Sequence, residues 1–370
     1  MRIAIDARPI RWALGTGIGN YTYFLIKSLN HLGARHRFSF LWPDDDLSAL
    51  PFHGHYTHCA VGKVDRDEEK LIPLWLKAQK SEVFHLPQNG IRFPKEKSIP
   101  VIVTLHDLIP YLIPEMVRRS YLLRFLDEMP MIVERADLIV TVSECARQDV
   151  IRLFGVRPDK IRVVPSAPDH RYRPRRKDEC GRYVREKYGI QYPYILYVGG
   201  LNPRKNVAQL IWAYRLVRHE LPGLHQLVIP GEPGRHQEDL AALTRQLHLE
   251  EDIVFPGFVD QRDIPFLYNA ADLFVYPSLY EGFGLPPIEA MASGVPVITS
   301  NTSSLPEVTG DAALKVHPMD THGLAEMIYH ILTDEALRSD LVIKGLQKAK
   351  EYRWTKIGKQ FLEIYELFSS

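Results

Sequence analysis

Short apolar runs alternate with longer amphipathic segments along the whole chain. In the first half, the runs that we predict to be strands lie at residues 2–6, 37–42, 83–86, 101–105, 138–143 and 161–165. A second series lies at residues 194–199, 226–231, 253–257, 273–278 and 296–300. Most of these runs lack a strict polar–apolar alternation, which is typical of parallel strands covered on both faces. Strands that alternate with helices predict an α/β protein with two doubly wound parallel sheets.

The two series are separated by a basic, proline-containing stretch at residues 165–187, which we interpret as a solvated connection. We therefore predict a first Rossmann-like domain at residues 1–167, a linker at 168–184 and a second Rossmann-like domain at 185–352. The last segment, 353–370, has an apolar stripe but no strand of its own, and we expect a helix that packs back on the first domain. A chain of 370 residues fits two domains of ordinary size.

Composition and charge limit the class of protein. The chain has 45% hydrophobic and 25% charged residues, as soluble globular proteins do, and its net charge of +1 creates no general attraction for nucleic acid. Three widely spaced cysteines without a C-x-x-C pair predict neither a disulfide framework nor a zinc site. The N-terminus lacks a signal-like apolar region, and no run approaches the roughly 18 apolar residues of a spanning helix. We expect a cytoplasmic protein that is not integral to a membrane.

The most informative stretch is "YEGFGLPPIEAMASGVPVITSN" at residues 280–301, in which seven residues separate Glu281 from Glu289. Glu281 follows a predicted strand, and Glu289 is expected in the first turn of a helix that has proline at its first position. The turn between them would direct backbone amides to one point, where a helix N-terminus favours an anion. Those amides belong to Phe283, Gly284 and Leu285. A nucleoside diphosphate sugar, with phosphates between two sets of hydroxyls, fits this layout. The alternative is that Glu289 only complements the helix dipole and Glu281 is a surface residue.

A second motif, "YVGGLNPRKN" at residues 197–206, also follows a predicted strand. Its glycines, including Gly200, permit close approach of a ligand to the backbone, and Arg204 and Lys205 supply two positive charges. Cations that face a departing diphosphate stabilise the charge that develops on it. A helix entry with solvated basic residues is the alternative.

From "PSLYEGFGLPPIEAMASGVPVITSN" through "SSLPEV", the sequence closely resembles the donor site of the family 4 glycosyltransferases, which are retaining enzymes of the GT-B fold. The resemblance implies that Glu289 holds the ribose hydroxyls, that Glu281 reaches the donor sugar, and that Arg204 and Lys205 are the basic pair of the family. It also implies that the backbone after Gly257 holds the base. The residues concerned are Phe258, Val259 and Asp260. Which base is bound is left open, because Asp260 or Asp263 would suit guanine whereas an acid at a helix entry is commonly a cap.

The first domain resembles the family in separate pieces. "GIGNY" is similar to the glycine loop of the family, in which Gly17 is expected to approach the donor. As a dinucleotide fingerprint it is imperfect because Asn20 replaces the last glycine, so NAD binding is not predicted. In "VTLHDLIP", the resemblance places His106 on the donor sugar, and Asp107 either orients its ring or touches substrate. A role for His85, which also ends a strand, is left open.

These features predict a retaining GT-B glycosyltransferase that transfers a hexose in a cleft between the two domains. "IDARPI" and "LHDLIP" look most like bacterial mannosyltransferases of surface-polysaccharide assembly, which favours GDP-mannose as the donor and a glycan or lipid-linked acceptor. A UDP-sugar donor is the nearest alternative, followed by a nucleotide-sugar epimerase and a non-catalytic nucleotide-sugar-binding protein. Front-face attack is preferred to double displacement, because no carboxylate nucleophile is evident.

No cofactor is expected, because the basic pair and the helix N-terminus can serve the diphosphate without a metal ion. The acidic run at residues 43–50 resembles a metal site only superficially, and a cap or solvated turn explains it better. The segment at 115–129 mixes arginines with apolar residues at helical spacing. We interpret it as an amphipathic helix packed on the sheet, with peripheral contact to the inner membrane face as the alternative.

Overall fold

The structure, a computed structural model, describes residues 1–13, 15–32, 35–44, 46–60, 68–191 and 193–369. The chain divides into two compact units. The first contains Met1–Ser166 and Tyr352–Ser370, and the second contains Ala167–Glu351.

The described part of the first unit holds a seven-stranded sheet in the order β3-β2-β1-β4-β5-β6-β7. The strands are β1 (Arg2–Asp6), β2 (Arg37–Trp42), β3 (Tyr56–Ala60), β4 (Val83–Leu86), β5 (Val101–Leu105), β6 (Leu138–Thr141) and β7 (Ile161–Val163). All pairs are parallel, and Ile5 lies opposite Phe40 on one side and His85 on the other. The strand order reverses between β1 and β4. Doubly wound sheets bind ligands at the carboxyl ends of the strands beside such a reversal.

Helices cover this sheet on both faces. They are α1 (Pro9–Ala13), α2 (Gly17–Leu32), α3 (Glu68–Ala78), α4 (Ile109–Leu112), α5 (Arg119–Arg135) and α6 (Glu144–Phe154). Residues of β1 such as Ile3 and Ile5 are fully buried, which explains why the strands read as continuous apolar runs.

The second unit has a six-stranded parallel sheet among its described residues, in the order β10-β9-β8-β11-β12-β13. Its strands are β8 (Tyr194–Leu196), β9 (Gln226–Val228), β10 (Ile253–Val254), β11 (Leu273–Tyr276), β12 (Val297–Ser300) and β13 (Leu314–Val316). Its helices are α7 (Lys177–Tyr188), α8 (Val207–Val217), α9 (Arg235–Gln246), α10 (Ile264–Ala270), α11 (Leu285–Ala292), α12 (Leu305–Thr309), α13 (Thr321–Thr333) and α14 (Glu335–Ala349). Strand order reverses between β8 and β11. The two doubly wound parallel α/β sheets that the sequence predicts are thus observed.

The predicted linker at 168–184 differs from the structure. Residues from Ala167 onward belong to the second unit, and α7 begins inside the predicted linker. Cys180 and Val184, four residues apart on one helical face, are buried, while the basic residues lie on the outer face. The charges that suggested a solvated linker are therefore the exposed side of a packed helix.

The C-terminal helix α15 (Trp354–Glu366) packs within the first unit. Its Tyr365 hydroxyl lies 2.8 Å from His85 Nδ1, and the ring of Phe361 stacks on the His85 imidazole at 5.1 Å. The other ring nitrogen of His85 lies 2.8 Å from Thr104 Oγ1. Burial lowers the pKa of His85 to about 3. His85 is therefore a neutral packing residue that ties α15 to β4 and β5.

Helix α5 buries one face and exposes another. Phe125 and Met129 point into the core, whereas Leu123 is 58% exposed. The amphipathic packing expected for this segment is thus observed, and the membrane contact stays a prediction. Within the described residues, no helix combines the length and the apolar character needed to cross a bilayer.

Candidate functional site

Two loops meet at the carboxyl ends of β8 and β11, which are adjacent strands of the second sheet. The first is the 3₁₀ turn Pro203–Lys205, and the second follows β11. The Leu279 amide donates to the Arg204 carbonyl at 2.9 Å, and the side chain of Asn206 donates to the Pro277 carbonyl at 3.1 Å. Asn206 has a left-handed backbone with φ of 58°, a conformation that asparagine tolerates better than most residues. The two loops are therefore held together as one structure.

Glu281 is the centre of this structure. Its Oε1 lies 2.7 Å from Lys205 Nζ and 2.9 Å from an Arg204 guanidinium nitrogen. The same oxygen accepts hydrogen bonds from the hydroxyls of Ser278 at 2.5 Å and Tyr276 at 3.0 Å. The side chains of Arg204, Lys205 and Glu281 are only 15%, 12% and 10% exposed. The sequence-predicted trio is thus brought together in a largely buried cluster.

The ionisation of Glu281 follows from this cluster. Burial alone raises the pKa of the carboxyl, but the charges of Lys205 and Arg204 and the hydrogen bonds from Lys205 and Ser278 outweigh it and lower the pKa to about 2. Glu281 is therefore ionised at all physiological pH values, and it fixes the position of both cations.

The glycine turn after Glu281 is held by residues of the segment before α12. The Glu281 amide donates to Ser303 Oγ at 3.0 Å, and Ser304 Oγ donates to the carbonyls of Glu281 and Phe283 at 2.9 and 2.8 Å. Gly284 has φ of 97°, and a Cβ there would lie 2.6 Å from the side chain of Leu305. A glycine is therefore required at this position for two reasons, its backbone conformation and its close contact.

Helix α11 begins at Leu285, one residue earlier than the sequence predicts. Glu289 is consequently its fifth residue and not part of the first turn, so the prediction of a first-turn position was wrong. The backbone of Gly284 supplies the N-cap, which allows the helix to start before the two prolines. The alternative that Glu289 only complements the helix dipole is therefore not supported, because the interaction of a charge with the dipole falls off within the first turn.

Glu289 lies in a pocket of tyrosines. The Tyr268 hydroxyl is 3.3 Å from its Oε2, and the ring of Tyr172 packs edge-on against the Tyr268 ring at a centroid distance of 5.7 Å. Burial raises the pKa of Glu289 to about 7, and the negative charge of Asp169 adds to this, while the Tyr268 hydrogen bond and Arg171 oppose it. The side chain is partly exposed and can therefore meet a ligand.

The predicted base-binding turn follows β10. Phe258 is 61% exposed and Val259 is buried. The Asp260 carboxylate pairs with Arg262 at 2.7 Å, and the hydrogen bonds from Arg262 lower its pKa. Asp263 begins α10 without a side-chain cap; its carboxylate accepts hydrogen bonds from the side chains of Tyr183, Lys187 and Tyr188. Of the two roles left open for Asp263, a side-chain cap is therefore not observed, and its carboxylate is occupied by these three partners.

The glycines after β8 surround a buried tyrosine. The Tyr197 hydroxyl donates to the Gly200 carbonyl at 2.6 Å, and a Cβ on Gly199 would lie 2.7 Å from that hydroxyl. The ring of Tyr197 also stacks on Tyr276, which binds Glu281. The predicted Gly200 backbone position is thus linked to the glutamate cluster.

In the first unit, His106 follows β5. Its Nε2 lies 2.8 Å from the Pro87 carbonyl, so this nitrogen carries the proton, and its backbone amide donates to Asn89 Oδ1 at 2.7 Å. Burial lowers the pKa of His106 to about 4. The Pro87 carbonyl therefore holds one ring nitrogen, and an oxygen of Asp107 accepts a hydrogen bond from the Ile109 amide.

Gly17 is the first residue of α2, and Thr16 precedes it. Thr16 Oγ1 accepts a hydrogen bond from the Gly19 amide at 3.3 Å. Within 4 Å of a Cβ built on Gly17 there is no other described atom, so the backbone faces open space. From the same helix, the ring of Tyr21 meets His106 edge-on at 4.8 Å.

The acidic run at 43–50 forms ion pairs near the surface. Asp44 and Asp46 lie 3.4 and 3.1 Å from the Arg11 guanidinium, and Asp46 also accepts from the Ser48 amide. Asp45 lies outside the described residues. Across the described residues, no cluster of three or more His, Cys, Asp or Glu side chains could hold a metal ion.

Sequence reasoning missed the side chains that support the two glutamates. Ser278 and Tyr276 were read only as part of a strand, and Tyr172 was assigned to the linker. Tyr268 was not singled out. Hydroxyl groups carry no formal charge, so even Ser278 and Tyr276, which lie within five residues of Glu281, gave no signal that they bind it. Tyr268 and Tyr172 lie 21 and 117 positions before Glu289, and no spacing signal connects them with it.

Comparison with known proteins places the chain in a family. The family described as "Glycosyl transferases group 1" matches residues 184–348, and "Glycosyltransferase Family 4" matches residues 15–172. The chain is 33% identical, over 99% of its length and 100% of the relative, to the O-antigen chain mannosyltransferase B of Escherichia coli.

Solved structures show the same fold. Sucrose-phosphate synthase from Thermosynechococcus elongatus has a TM-score of 0.77 at 21% identity and covers 99% of this chain and 98% of its own. Anabaena Alr3699/HepE, solved with UDP and glucose, has a TM-score of 0.76 at 17% identity and covers 99% of both chains. Taken with the full-length relative, these matches show that the chain belongs to the group 1 glycosyltransferases.

Proposed function

We propose that the protein is a retaining, metal-independent mannosyltransferase that transfers mannose from GDP-mannose to a glycan or lipid-linked acceptor in polysaccharide assembly. The observation that carries this proposal is the buried cluster of Arg204, Lys205 and Glu281 beside the start of α11. Two cations fixed at this place suit the negative charge that develops on a departing diphosphate. The N-terminus of α11 favours the same charge.

The choice of sugar and base rests on the relatives. The full-length relative is named as a mannosyltransferase of O-antigen chains, which supports mannose and a polysaccharide product. A protein of the same fold binds UDP, which supports a nucleoside diphosphate donor of some kind. A UDP-sugar is therefore the second candidate.

The state of Glu281 supports front-face attack. Its Oε1 is engaged by two cations and two hydroxyls, and a carboxylate with a pKa of about 2 is a weak nucleophile. In the proposed step, the acceptor oxygen bonds to the anomeric carbon on the face from which the diphosphate leaves. Because the new bond forms on that same face, the anomeric configuration is retained, and the departing phosphate oxygen takes the proton of the acceptor hydroxyl.

The remaining predicted residues would bind the donor. His106 is neutral and oriented by the Pro87 carbonyl, so it is proposed to contact the sugar without moving a proton. Glu289 is proposed to accept hydrogen bonds from the ribose hydroxyls. The backbone of Phe258, Val259 and Asp260 would hold the base.

The test combines donor binding with product analysis. Thermal shifts with GDP, UDP and ADP in EDTA should show stabilisation by GDP. A ligand at 100 times its Kd raises the free energy of unfolding by about 2.7 kcal/mol, which such a measurement resolves. GDP-mannose with an oligomannose acceptor should then give a product whose new linkage is α by NMR, as in the donor. A shift with UDP alone would overturn the mannose assignment. A β linkage, or turnover that requires added metal, would overturn the mechanism.

A matched pair of variants tests the cation cluster. Lys205→Met should lower kcat by about a hundredfold or more. Lys177→Met removes a lysine that pairs with Asp272 at the opposite end of the sheet, and it should leave kcat within about twofold. Equal losses in both variants would show that Lys205 has no special role.

A further inference from the structure

Ser304 lies at the N-cap position of α12, but its side chain makes no capping hydrogen bond to that helix. A serine at an N-cap ordinarily accepts a hydrogen bond from an amide in the first turn of its helix. The Ser304 hydroxyl, which is fully buried, instead donates to the carbonyls of Glu281 and Phe283 at 2.9 and 2.8 Å. Both carbonyls belong to the glycine turn before α11. Capping of α12 therefore does not explain this hydroxyl.

Two neighbours of Ser304 hold the same turn. The Thr302 hydroxyl donates to the Leu279 carbonyl at 3.0 Å, and Ser303 Oγ accepts from the Glu281 amide at 3.0 Å. Ser303 has φ of 55°, a left-handed backbone that is uncommon for serine and costs free energy. A strained segment that directs three hydroxyls at one turn indicates that the shape of this turn has a function.

Helix α11 begins with few amide donors. The first four amides of an α-helix have no partner within the helix. In α11 they belong to Gly284, Leu285, Pro286 and Pro287, and proline has no N–H. Of these four residues, only Gly284 and Leu285 can donate to an anion, and no described residue accepts a hydrogen bond from either amide. The direction of the Gly284 amide therefore matters more than at a helix start without prolines.

The Ser304 hydroxyl determines that direction. In a trans peptide unit, the carbonyl and the amide point in opposite directions. Since the Phe283 carbonyl is directed at Ser304 Oγ, the Gly284 amide of the same peptide unit points away from Ser304. The bond to the Glu281 carbonyl fixes a second peptide unit of the turn in the same way.

We propose that Ser304 is a positioning residue that directs the Gly284 amide toward the diphosphate of the donor. This inference rests on the proposed function, in which the start of α11 and the cations of Arg204 and Lys205 stabilise that diphosphate. A donor stabilises developing negative charge best when its direction is fixed beforehand. Ser304 fixes this direction without touching the ligand, because it contacts the carbonyl side of the turn.

The test compares the binding of a nucleotide with that of its nucleoside to the full chain. Calorimetry would give the affinities for GDP and guanosine, with UDP and uridine in parallel. The wild type should bind the nucleotide more tightly than the nucleoside. Ser304→Ala should reduce this preference by about threefold to tenfold, the equivalent of one hydrogen bond, with an unchanged affinity for the nucleoside. In turnover, its kcat should fall by a larger factor than its KM rises, because the amide acts mainly on the developing charge.

Two further variants separate positioning from a general loss of stability. Thr309→Val removes a buried hydroxyl of the same helix, which donates to the Leu305 carbonyl at 2.7 Å. It should lower Tm and leave the nucleotide preference unchanged. Ser304→Cys fills a similar space with a weaker donor, so its preference should lie between those of the wild type and Ser304→Ala. It also carries the test if Ser304→Ala does not fold.

The outcomes distinguish the two levels of the proposal. If the wild type prefers the nucleotide and both Ser304 variants keep the full preference, the role of Ser304 is overturned while the proposed function stands. The same conclusion follows if Thr309→Val loses as much of the preference as Ser304→Ala. If the wild type binds neither GDP nor UDP, the proposed function fails and this inference fails with it.

Discussion

Glu281 and Glu289 belong to one motif, yet their surroundings give them opposite properties. Glu281 contacts Arg204 and Lys205, and its pKa falls to about 2. Glu289 contacts the neutral hydroxyl of Tyr268, and burial raises its pKa to about 7. Both carboxyls are desolvated, so the difference comes from the neighbouring charges. The spacing of the motif places the two acids, but residues distant in the sequence decide how each one ionises.

This difference assigns the two glutamates different tasks. A permanently ionised carboxylate between two cations holds them in place and leaves the cluster with a net positive charge for a diphosphate. A carboxylate that titrates near neutrality binds hydroxyls well only when it is ionised. The following variants should distinguish an electrostatic support at Glu281 from a titrating ligand at Glu289.

The largest effect is expected for Glu281→Gln. The change removes the negative charge that Arg204 and Lys205 contact at Glu281. The two cations should therefore be held less well in position, and the free energy of unfolding should fall. We expect kcat/KM to fall by at least about a hundredfold. Unfolding in urea should show a loss of about 3 kcal/mol, as for a broken ion pair that is mostly buried.

The double variant Glu281→Gln with Lys205→Met controls for this loss. It removes one of the two cations that Glu281 pairs with, so it should recover part of the stability but none of the activity. A Glu281→Gln protein with normal stability and normal kcat would show that the cluster is incidental.

The next effect concerns the pH dependence of donor binding. If only ionised Glu289 binds the ribose, about one tenth of the protein is competent at pH 6 and about nine tenths at pH 8, for a pKa of about 7. Donor affinity should therefore increase about tenfold between these pH values, as measured by calorimetry. Glu289→Gln should bind weakly at both. A wild-type affinity that falls as pH rises would contradict the assignment.

The fold was largely predictable because its strands are apolar on both faces. The predicted bounds of β1, β2, β4 and β5 match the structure. The two strands that were missed, β3 and β13, lie at sheet edges. Their sequences, "YTHCA" and "LKV", are short and contain polar residues, since an edge strand is covered less completely than a central one. The connection at 168–184 was misread because charge on one helical face resembles a solvated linker.

The candidate site was predictable only in part. Charged residues and glycines that directly follow strands identified Arg204, Lys205 and Glu281, because parallel strands bring their carboxyl ends to one edge. The partners of Glu289 could not be predicted in this way. Tyr268 lies 21 positions before it, and Tyr172, which packs on Tyr268, lies 117 positions before it.

A smaller effect is expected for Ser278→Ala. Ser278 donates the shortest hydrogen bond to Glu281 Oε1, at 2.5 Å, but three other donors remain. We expect kcat to fall by about fivefold, equivalent to a loss of about 1 kcal/mol. Thr244→Val, which loses a buried hydroxyl bond within α9, should destabilise the protein without this loss of kcat. Equal kcat values for the two variants would mean that Ser278 does not support Glu281.

The last effect concerns stability rather than activity, and it has opposite signs at the two glutamates. Glu289 has a raised pKa in the folded protein, so it keeps its proton between pH 4.5 and pH 7 while the unfolded chain loses it. Its contribution therefore destabilises the fold progressively over that range. Because the side chain is partly exposed, we expect about 1–2 kcal/mol. Glu289→Gln cannot titrate, so in the absence of ligand its Tm should exceed that of the wild type by about 3–6 °C at pH 8 and match it near pH 4.5. Differential scanning calorimetry at both pH values would measure this. A Glu289→Gln protein that is less stable than the wild type at pH 8 would mean that the ionised carboxylate supports the fold, as at Glu281, and the contrast between the two glutamates would disappear.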